Sequence, residues 1–411
     1  MNFKKAFLGL ELFAICFGAT VLVPILTGIH PSIVMFTAGI ATLVMYFLGR
    51  GKFGAPVIFL GSSFAYIEAI NHVQVTWDMP SVFFALGVAG FVQVILSRII
   101  AIFGSEVISK KLFPPVLYGT MIMLIGLRLV DTGLGMASDN WILATITLVV
   151  AIFLMVFTKG IPNLFSVLIA IGVGFIVAFF MGEVEFVRES FFRLPEFTAP
   201  RVNWQAALYM IPFALVVSVE HFGDIFAISE ATGKKYYQSP GIQRTMLIDG
   251  IGSMLSFFGS VPNTTYSEGV SAVNLLNIKD PKVSRNAGFW ALAFSFVGLL
   301  SALLNSIPTA VIGGVMVLLF GSIATIGLKS MVRENVDFAN PKNIIIVSVM
   351  LVFGLGTVPV PIPVFEEGVG LAAILGIALQ LIFTLFESKV KINESIEAND
   401  IVVDEVATTD E

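Results

Sequence analysis

Residues 55–61 read Ala-Pro-Val-Ile-Phe-Leu-Gly and residues 261–266 read Val-Pro-Asn-Thr-Thr-Tyr, and these two stretches decide the fold. Each has a proline at its second position and contains β-branched residues, both of which disfavour an α-helix. Extended backbone at membrane depth is tolerated only where it is packed inside protein or lines a cavity. We therefore predict two short strands that pair with each other, each followed by a helix whose N-terminus faces the bilayer centre.

The composition of the 411-residue chain is that of a membrane protein with many spans. It is 57% hydrophobic and only 12% charged, and its mean hydropathy is +0.94, whereas soluble proteins are typically about a quarter charged. Lys and Arg (23) are fewer than Asp and Glu (28), which argues against a nucleic-acid partner. The single cysteine, Cys16, excludes an intramolecular disulfide and a cysteine-based metal site.

Apolar stretches separated by Gly, Pro and charged residues predict fourteen membrane segments. The first seven lie near 7–27, 31–49, 55–71, 80–103, 112–130, 139–158 and 161–182. The second seven lie near 205–229, 242–259, 261–277, 286–305, 307–328, 343–360 and 366–386.

The distribution of basic residues supports this count and predicts the orientation. With the N-terminus inside, the outer segments hold only Arg128, Arg188, Arg193 and Arg201, so the inner segments hold 23 − 4 = 19 of the Lys and Arg residues. Cytoplasmic loops carry such an excess of basic residues. We expect a multi-pass protein of the cell membrane with both termini in the cytoplasm, ending in an acidic tail over residues 391–411.

Seven is an odd number, so the second set of segments starts on the opposite side from the first and the halves form an inverted repeat. Gly61-Ser62-Ser63-Phe64 resembles Asn263-Thr264-Thr265-Tyr266, and each stands in the third segment of its half. The predicted fold is an all-α polytopic membrane protein of two inverted seven-segment repeats with short β-strands in segments 3 and 10. The alternative for these stretches is a re-entrant loop with a packing role only.

Acidic residues within segments are candidates for function, because a charge in the bilayer is costly. Glu220 and Asp224 are four residues apart and share one helix face, where mutual repulsion favours protonation of one of them. Asp224 alternatively belongs to a solvated helix end. Glu268 follows the second extended stretch, and His221 is expected to be a hydrogen-bonded core residue. Glu11 and Asp249 have no predicted partner, and Glu68 is expected near the outer mouth.

Four strings in the same order resemble the nucleobase–ascorbate transporter family, and within it the bacterial uracil permeases. They are Phe17-Gly18-Ala19-Thr20-Val21-Leu22-Val23-Pro24, Gly61-Ser62-Ser63-Phe64-Ala65, Glu220-His221-Phe222-Gly223-Asp224 and Pro262-Asn263-Thr264-Thr265-Tyr266-Ser267-Glu268. The resemblance runs from about residue 6 to residue 390.

This resemblance implies a core domain over 1–111 and 201–305 and a gate domain over 112–200 and 306–390. It implies uptake of a nucleobase, most closely uracil, with protons, and often a homodimer. The residues that it places at the substrate are Glu220, Glu268, the backbone N–H groups of Phe64 and Ser267, and the pocket residues Ala19 and Tyr266. Those that would couple transport to protons are Glu220, Asp224 and Glu268.

The sequence departs from the family pattern at several of these positions. Glu11-Leu12 stands where the family has Gln-His, and Glu268-Gly269-Val270-Ser271 replaces the usual Asn-x-Gly. At position 224 the aspartate resembles the residue found in purine transporters of the family. At position 268 the glutamate resembles the residue found in uracil transporters. A purine such as xanthine, urate or guanine is therefore the alternative substrate, and sodium is the alternative coupling ion.

Two other classes of protein are weighed against a symporter. An anion carrier or channel of the related sulfate-transporter fold is disfavoured, because carboxylates at the site would repel an anion. An intramembrane enzyme is disfavoured because the chain has only three histidines and no His-Glu-x-x-His motif. We expect no catalytic residue, no metal site and no cofactor besides the coupling ion.

Overall fold

The computed structural model describes residues 3–104, 114–265, 267–365 and 367–386, apart from the side chains of residues 267 and 268. Two predictions therefore fall outside the described residues: the role of Tyr266 and the acidic tail over 391–411. The side chains of Ser267 and Glu268 also lie outside, although the backbone of both residues belongs to a described helix.

The first half of the chain forms nine helices and one strand within the described ranges. The helices are α1 (Phe3–Thr27), α2 (Pro31–Leu48), α3 (Ile67–Thr76), α4 (Met79–Phe103), α5 (Pro115–Arg128), α6 (Val130–Ser138), α7 (Trp141–Phe157), α8 (Ile161–Leu164) and α9 (Ser166–Met181). Strand β1 (Gly61–Ser62) and a 3₁₀ turn (Phe64–Tyr66) precede α3.

The second half repeats this order after a long connection. Its helices are α10 (Trp204–Thr232), α11 (Ile242–Met254), α12 (Ser267–Leu275), α13 (Lys282–Ser295), α14 (Gly298–Asn305), α15 (Thr309–Arg333), α16 (Pro341–Leu355) and α17 (Gly368–Phe386). Strand β2 (Asn263–Thr264) precedes α12. Every one of the fourteen predicted segments thus has a helical counterpart, and segments 3 and 10 contain the two strands as predicted.

Segment 11 differs from its prediction as one continuous span over 286–305. The structure breaks it between α13 and α14, where Val297 forms a β-bridge with Phe192. The Gly298 N–H also donates to the Phe191 carbonyl oxygen (N···O 2.9 Å). The long connection before α10 therefore supplies the backbone partners that the interrupted helix lacks, an interaction between distant residues that hydropathy does not indicate.

Seven helices of the described ranges are long and apolar enough to cross a membrane, and α7, α9 and α16 are shorter apolar helices. The span helices that pack most deeply in the bundle are α1, α2 and α10. Most residues of these three helices lie in the protein interior. The other span helices bury a smaller share of their residues.

Helix contacts repeat across the two halves, which is the mark of an inverted repeat. Helix α4 packs on α10 and α11, just as its counterpart α13 packs on α1 and α2. Helix α5 packs on α15 and α16, just as α15 packs on α5 and α7. The contacts divide the helices into two groups, one around α1, α2, α4, α10, α11 and α13 and the other around α5, α7, α9, α15 and α16.

Contacts between loops follow the predicted alternation of sides. On the face that carries the N-terminus, the Lys5 ammonium pairs with Asp280 (2.5 Å) and the Lys234 ammonium donates to the Lys279 carbonyl oxygen (2.8 Å). On the opposite face, Arg201 pairs with Asp78 (2.5 Å). The pKa of Asp78 is held below its usual range, chiefly by the hydrogen bond that its carboxylate accepts from the Ser81 N–H and also by the nearby Arg201 guanidinium.

Candidate functional site

Two short antiparallel strands meet in the interior of the bundle. Gly61 of β1 lies opposite Thr264 of β2, and Ser62 lies opposite Asn263. The Ser63 N–H continues the ladder by donating to the Pro262 carbonyl oxygen (N···O 3.1 Å). All four strand residues are buried, so each strand gives the other the backbone partners that hydrocarbon cannot.

A helical segment starts directly after each strand. The 3₁₀ turn begins at Phe64 and leads into α3, while α12 begins at Ser267. Ser63 precedes the 3₁₀ turn without capping it through its side chain. The first N–H groups of a helix have no partner within that helix and carry partial positive charge. The strand pair therefore brings two sets of backbone donors to the middle of the protein.

Strand β1 is held by hydrogen bonds to α1 and α2. The Leu60 N–H donates to the Thr42 hydroxyl oxygen (2.9 Å), and the Ser62 hydroxyl donates to the Thr20 carbonyl oxygen (2.8 Å). Thr42 and Ser62 are both buried. Neutral hydrogen bonds of this kind fix the position of Phe64, two residues after Ser62.

Strand β2 is held by a buried carboxylate. The Thr265 N–H donates to Asp249 of α11 (N···Oδ1 3.2 Å), and the Gln93 amide contacts the other oxygen (3.5 Å). The His221 ring lies against both Asp249 (3.6 Å) and the Thr265 hydroxyl (3.3 Å), with its Nε2 at the Thr245 hydroxyl (2.9 Å). His221 and Asp249 have no solvent exposure, and the predicted hydrogen-bonded core histidine is observed.

A central cavity lies beside the strand pair, and its two walls differ in chemistry. One wall is formed by the strand ends and α10, with Ser62, Ser63, Phe64, Ala65, Glu220, Thr264 and Thr265. The other wall is formed by α5 and α15, with Ile122, Ile125, Ile323 and Ile326. A flat molecule with a polar edge and an apolar face would match both walls.

A vestibule joins the central cavity to the face that carries the N-terminus. Glu220 lines both spaces, and Asp224 lines the vestibule one turn further along α10. Lys329 and Arg333 of α15 stand at the same vestibule. The two carboxylates that the spacing predicted on one helix face therefore do line one wall.

Not all of the predicted substrate residues come together around the central cavity. Ala19 lines a neighbouring side cavity with Ser271 and Ser322, and Phe64 is the residue that borders both cavities. Glu220 and Phe64 both line the central cavity. Glu11 is partly buried on α1 and lines neither cavity.

The sequence indicated Asp249 as an acid within a segment but gave no partner for it. Its partners, Gln93, His221 and Thr265, come from three other segments of the chain. These contacts depend on tertiary packing and cannot be read from the sequence. The only sequence signal for this site was the presence of an acidic residue within a membrane segment, where a charge is costly.

Comparisons with known sequences identify relatives along nearly the whole chain. The profile of a family described as "Permease family" matches residues 3–362. A probable uracil permease of Haemophilus influenzae is 38% identical over 402 residues, covering 94% of this chain and 96% of that protein. The uracil permease of Escherichia coli strain K12 is 35% identical, covering 91% of this chain and 90% of that protein.

Solved structures with the same fold are more distant in sequence. The structure of SLC26A9 aligns with a TM-score of 0.69 at 13% identity, covering 94% of this chain and 66% of that chain. The transmembrane domain of a cyanobacterial bicarbonate transporter, BicA, aligns with a TM-score of 0.63 at 13% identity, covering 93% of this chain and 96% of that chain. At such identity the similarity concerns the fold alone.

Proposed function

This chain belongs to the permease family of nucleobase–ascorbate transporters, and from that premise we propose that it imports uracil together with protons by alternating access. The family assignment rests on the profile match over residues 3–362 and on relatives at 35–38% identity that are named uracil permeases. As those relatives are transporters, we propose no catalytic residue, no metal and no cofactor other than the coupling ion.

The observation that carries the proposal is the contrast between the two walls of the central cavity. Uracil is a planar ring with two N–H donors and two carbonyl acceptors along its edge. The Glu220 carboxylate can accept from a ring N–H, and the backbone N–H of Phe64 can donate to a ring carbonyl. The isoleucines of α5 and α15 would cover the apolar face of the ring.

The full substrate site in this proposal includes residues on both sides of the strand pair. Glu220, Glu268, Phe64, Ser267, Tyr266 and Ala19 would surround the base, as the family resemblance implies. The start of α12 at Ser267 supports a role for its backbone N–H groups. Ala19 lines the side cavity and would shape the substrate site indirectly, through its neighbour Phe64, which borders both cavities.

Proton coupling is proposed for the carboxyl groups of Glu220, Asp224 and Glu268. Glu220 and Asp224 line a vestibule that extends from the central cavity, so a proton could reach them by the same path as the base. Two carboxyl groups at one buried wall repel each other, and taking up a proton relieves that repulsion. Sodium is the alternative coupling ion, and it would replace the proton at the same oxygens.

Alternating access requires two bodies that move relative to each other. The helix contacts support a core domain of segments 1–4 and 8–11 and a gate domain of segments 5–7 and 12–14. The excess of basic residues on the face that carries the N-terminus supports cytoplasmic termini in the cell membrane. A homodimer in the bilayer follows from the family resemblance, and no nucleic acid takes part.

The first experiment removes the charge of Glu220 in proteoliposomes. Glu220→Gln should abolish uracil uptake driven by an inward proton gradient, because the amide can neither be protonated nor accept as a carboxylate does. Glu230→Gln is the matched control, since Glu230 is an exposed acid on the same helix. Undiminished gradient-driven uptake by Glu220→Gln in correctly inserted protein would refute the proposal.

The second experiment separates uracil from the purine alternative. Radiolabelled uracil, xanthine, guanine and adenine are offered to the purified protein, and uracil should bind most tightly. Asp224, which is similar to purine members of the family, is the feature that favours the alternative. Binding of xanthine without binding of uracil would overturn the proposed substrate and leave the family assignment intact.

A further inference from the structure

Glu68 is an acid within a membrane segment that the proposed substrate and proton sites do not use. It lies in the first turn of α3, four residues after Phe64 and therefore one helical turn beyond the central cavity. That turn leads away from the vestibule, toward the face opposite the N-terminus. Glu68 thus stands where a path from the opposite face would reach the site.

The Glu68 carboxylate packs against the start of α17, a helix that itself packs on α5 and α16 of the other group of helices. A Cβ atom at Gly368 would lie 2.8 Å from Glu68 Oε1 and 3.6 Å from Arg128 Nη2. Gly368 has a φ of +79°, so both its backbone conformation and its lack of a side chain permit this approach. The carboxylate therefore lies at the positive end of a helix, next to a guanidinium group.

Charged and polar side chains from both groups of helices surround Glu68. Arg128, at the last residue of α5, attracts the carboxylate, whereas Glu367, just before α17, repels it. Tyr209 of α10 faces the carboxylate from the same group of helices as Glu68. Arg128 and the start of α17, which attract Glu68 from across the contact, come from the proposed gate domain, whereas Tyr209, which also favours the carboxylate, comes from the proposed core domain.

Tyr209 extends the same contact as an aromatic layer. Its fully buried ring stacks on His72 of α3 (centroids 4.3 Å apart) and on Phe365 (5.8 Å). A Cβ atom at Gly370 would lie 3.0 Å from the Tyr209 ring, so α17 packs directly on it. An aromatic layer thus packs against α17 beside the charged contact.

We propose that Glu68 and Arg128 are the outer-gate residues of the transport cycle, and that docking of the Glu68 carboxylate on Arg128 and the start of α17 holds the path from the opposite face closed. This inference rests on the proposed alternating access. The structure combines the closed contact at Glu68 with a vestibule at Glu220 on the N-terminal face, which is the pairing that an inward-facing state requires. Separation of Glu68 from α17 is the step that exposes the site to the outside.

The test measures access to the central cavity and needs no substrate. Ile125→Cys provides a thiol in the wall of that cavity in a Cys16→Ser background, which removes the natural cysteine of the chain. Right-side-out vesicles are treated with a charged, membrane-impermeant thiol reagent. Glu68→Gln should raise the labelling rate of Cys at position 125 at least tenfold, and Arg128→Gln should raise it in the same direction.

Glu367→Gln is the matched control, because it removes a neighbouring acid that repels Glu68. Its labelling rate should equal or fall below that of the reporter protein without a gate substitution. Equal rates for Glu68→Gln, Arg128→Gln and the reporter protein would overturn the gate, as would an equal increase in Glu367→Gln. Because labelling is read without uracil, failure of the proposed substrate would leave this result unaffected.

Discussion

Strands β1 and β2 occupy corresponding places in the two halves, yet the residues that hold them differ in charge. Each strand is anchored by the second segment of its own half. Thr42 of α2 accepts from the Leu60 N–H beside β1, and Asp249 of α11 accepts from the Thr265 N–H beside β2. The two anchors act at different backbone positions, one just before β1 and one just after β2, and the first is a neutral hydroxyl whereas the second is a carboxyl group.

This difference indicates where the structure depends most on a polar group. A hydroxyl acceptor contributes one modest hydrogen bond, whereas a buried carboxylate forms stronger ones and requires several partners. Asp249 has such partners in Thr265, Gln93 and His221. The β2 side, which leads to Ser267 and Glu268, should therefore be the more sensitive of the two.

The largest effect is expected from Asp249→Ala. The substitution leaves the buried Thr265 N–H without its acceptor and removes the carboxyl partner of His221 and Gln93, at a cost of about 3 kcal/mol in the free energy of unfolding. Uracil binding should be lost along with it, because β2 sets the start of α12. Thermal unfolding in detergent and binding of radiolabelled uracil measure the two effects. A variant with native stability and native binding would contradict the anchoring role.

An intermediate effect is expected from His221→Phe, which keeps a ring but removes both nitrogens. The hydroxyls of Thr245 and Thr265 lose a hydrogen-bond partner, which should destabilise the protein by about 1.5 kcal/mol. Asp249 would still hold the Thr265 N–H, so uracil affinity should fall less than in Asp249→Ala. Comparison of the two binding constants under one set of conditions checks this order, and a greater loss in His221→Phe would reverse it.

The smallest effect is expected from Thr42→Val on the β1 side. The isosteric change removes the neutral acceptor of the Leu60 N–H and should cost about 1 kcal/mol. The Ser62 hydroxyl bond to the Thr20 carbonyl oxygen remains and continues to hold β1. The same unfolding assay applies. If Thr42→Val is as harmful as Asp249→Ala, the two anchors are equivalent and the comparison fails.

Most of the architecture was predictable from the sequence because it depends on local signals. Apolar length, prolines and the side preference of basic residues predict the fourteen segments, and the two Pro-containing stretches predict the strand pair. The break at Val297 was not predictable. It depends on pairing with Phe192, more than one hundred positions away, and that pairing leaves no periodic pattern in either segment.

The candidate site was predictable to a lesser degree. The spacing of Glu220 and Asp224 predicted their common wall, since four residues make about one helical turn. The apolar wall of Ile122, Ile125, Ile323 and Ile326 was hidden, because isoleucine is common at both lipid-facing and cavity-facing positions. Glu68 and Arg128 were visible as charges in the sequence, but their approach at Gly368 depends on how three separate helices pack.

An experimental structure of the protein with uracil bound would test the proposed binding site directly. The base should lie between the isoleucines of α5 and α15 and the start of the 3₁₀ turn. A ring N–H should lie within hydrogen-bond distance of the Glu220 carboxylate, and a ring carbonyl should lie near the Phe64 N–H. Uracil bound away from Glu220, for example in the side cavity at Ala19, would contradict the proposed binding site.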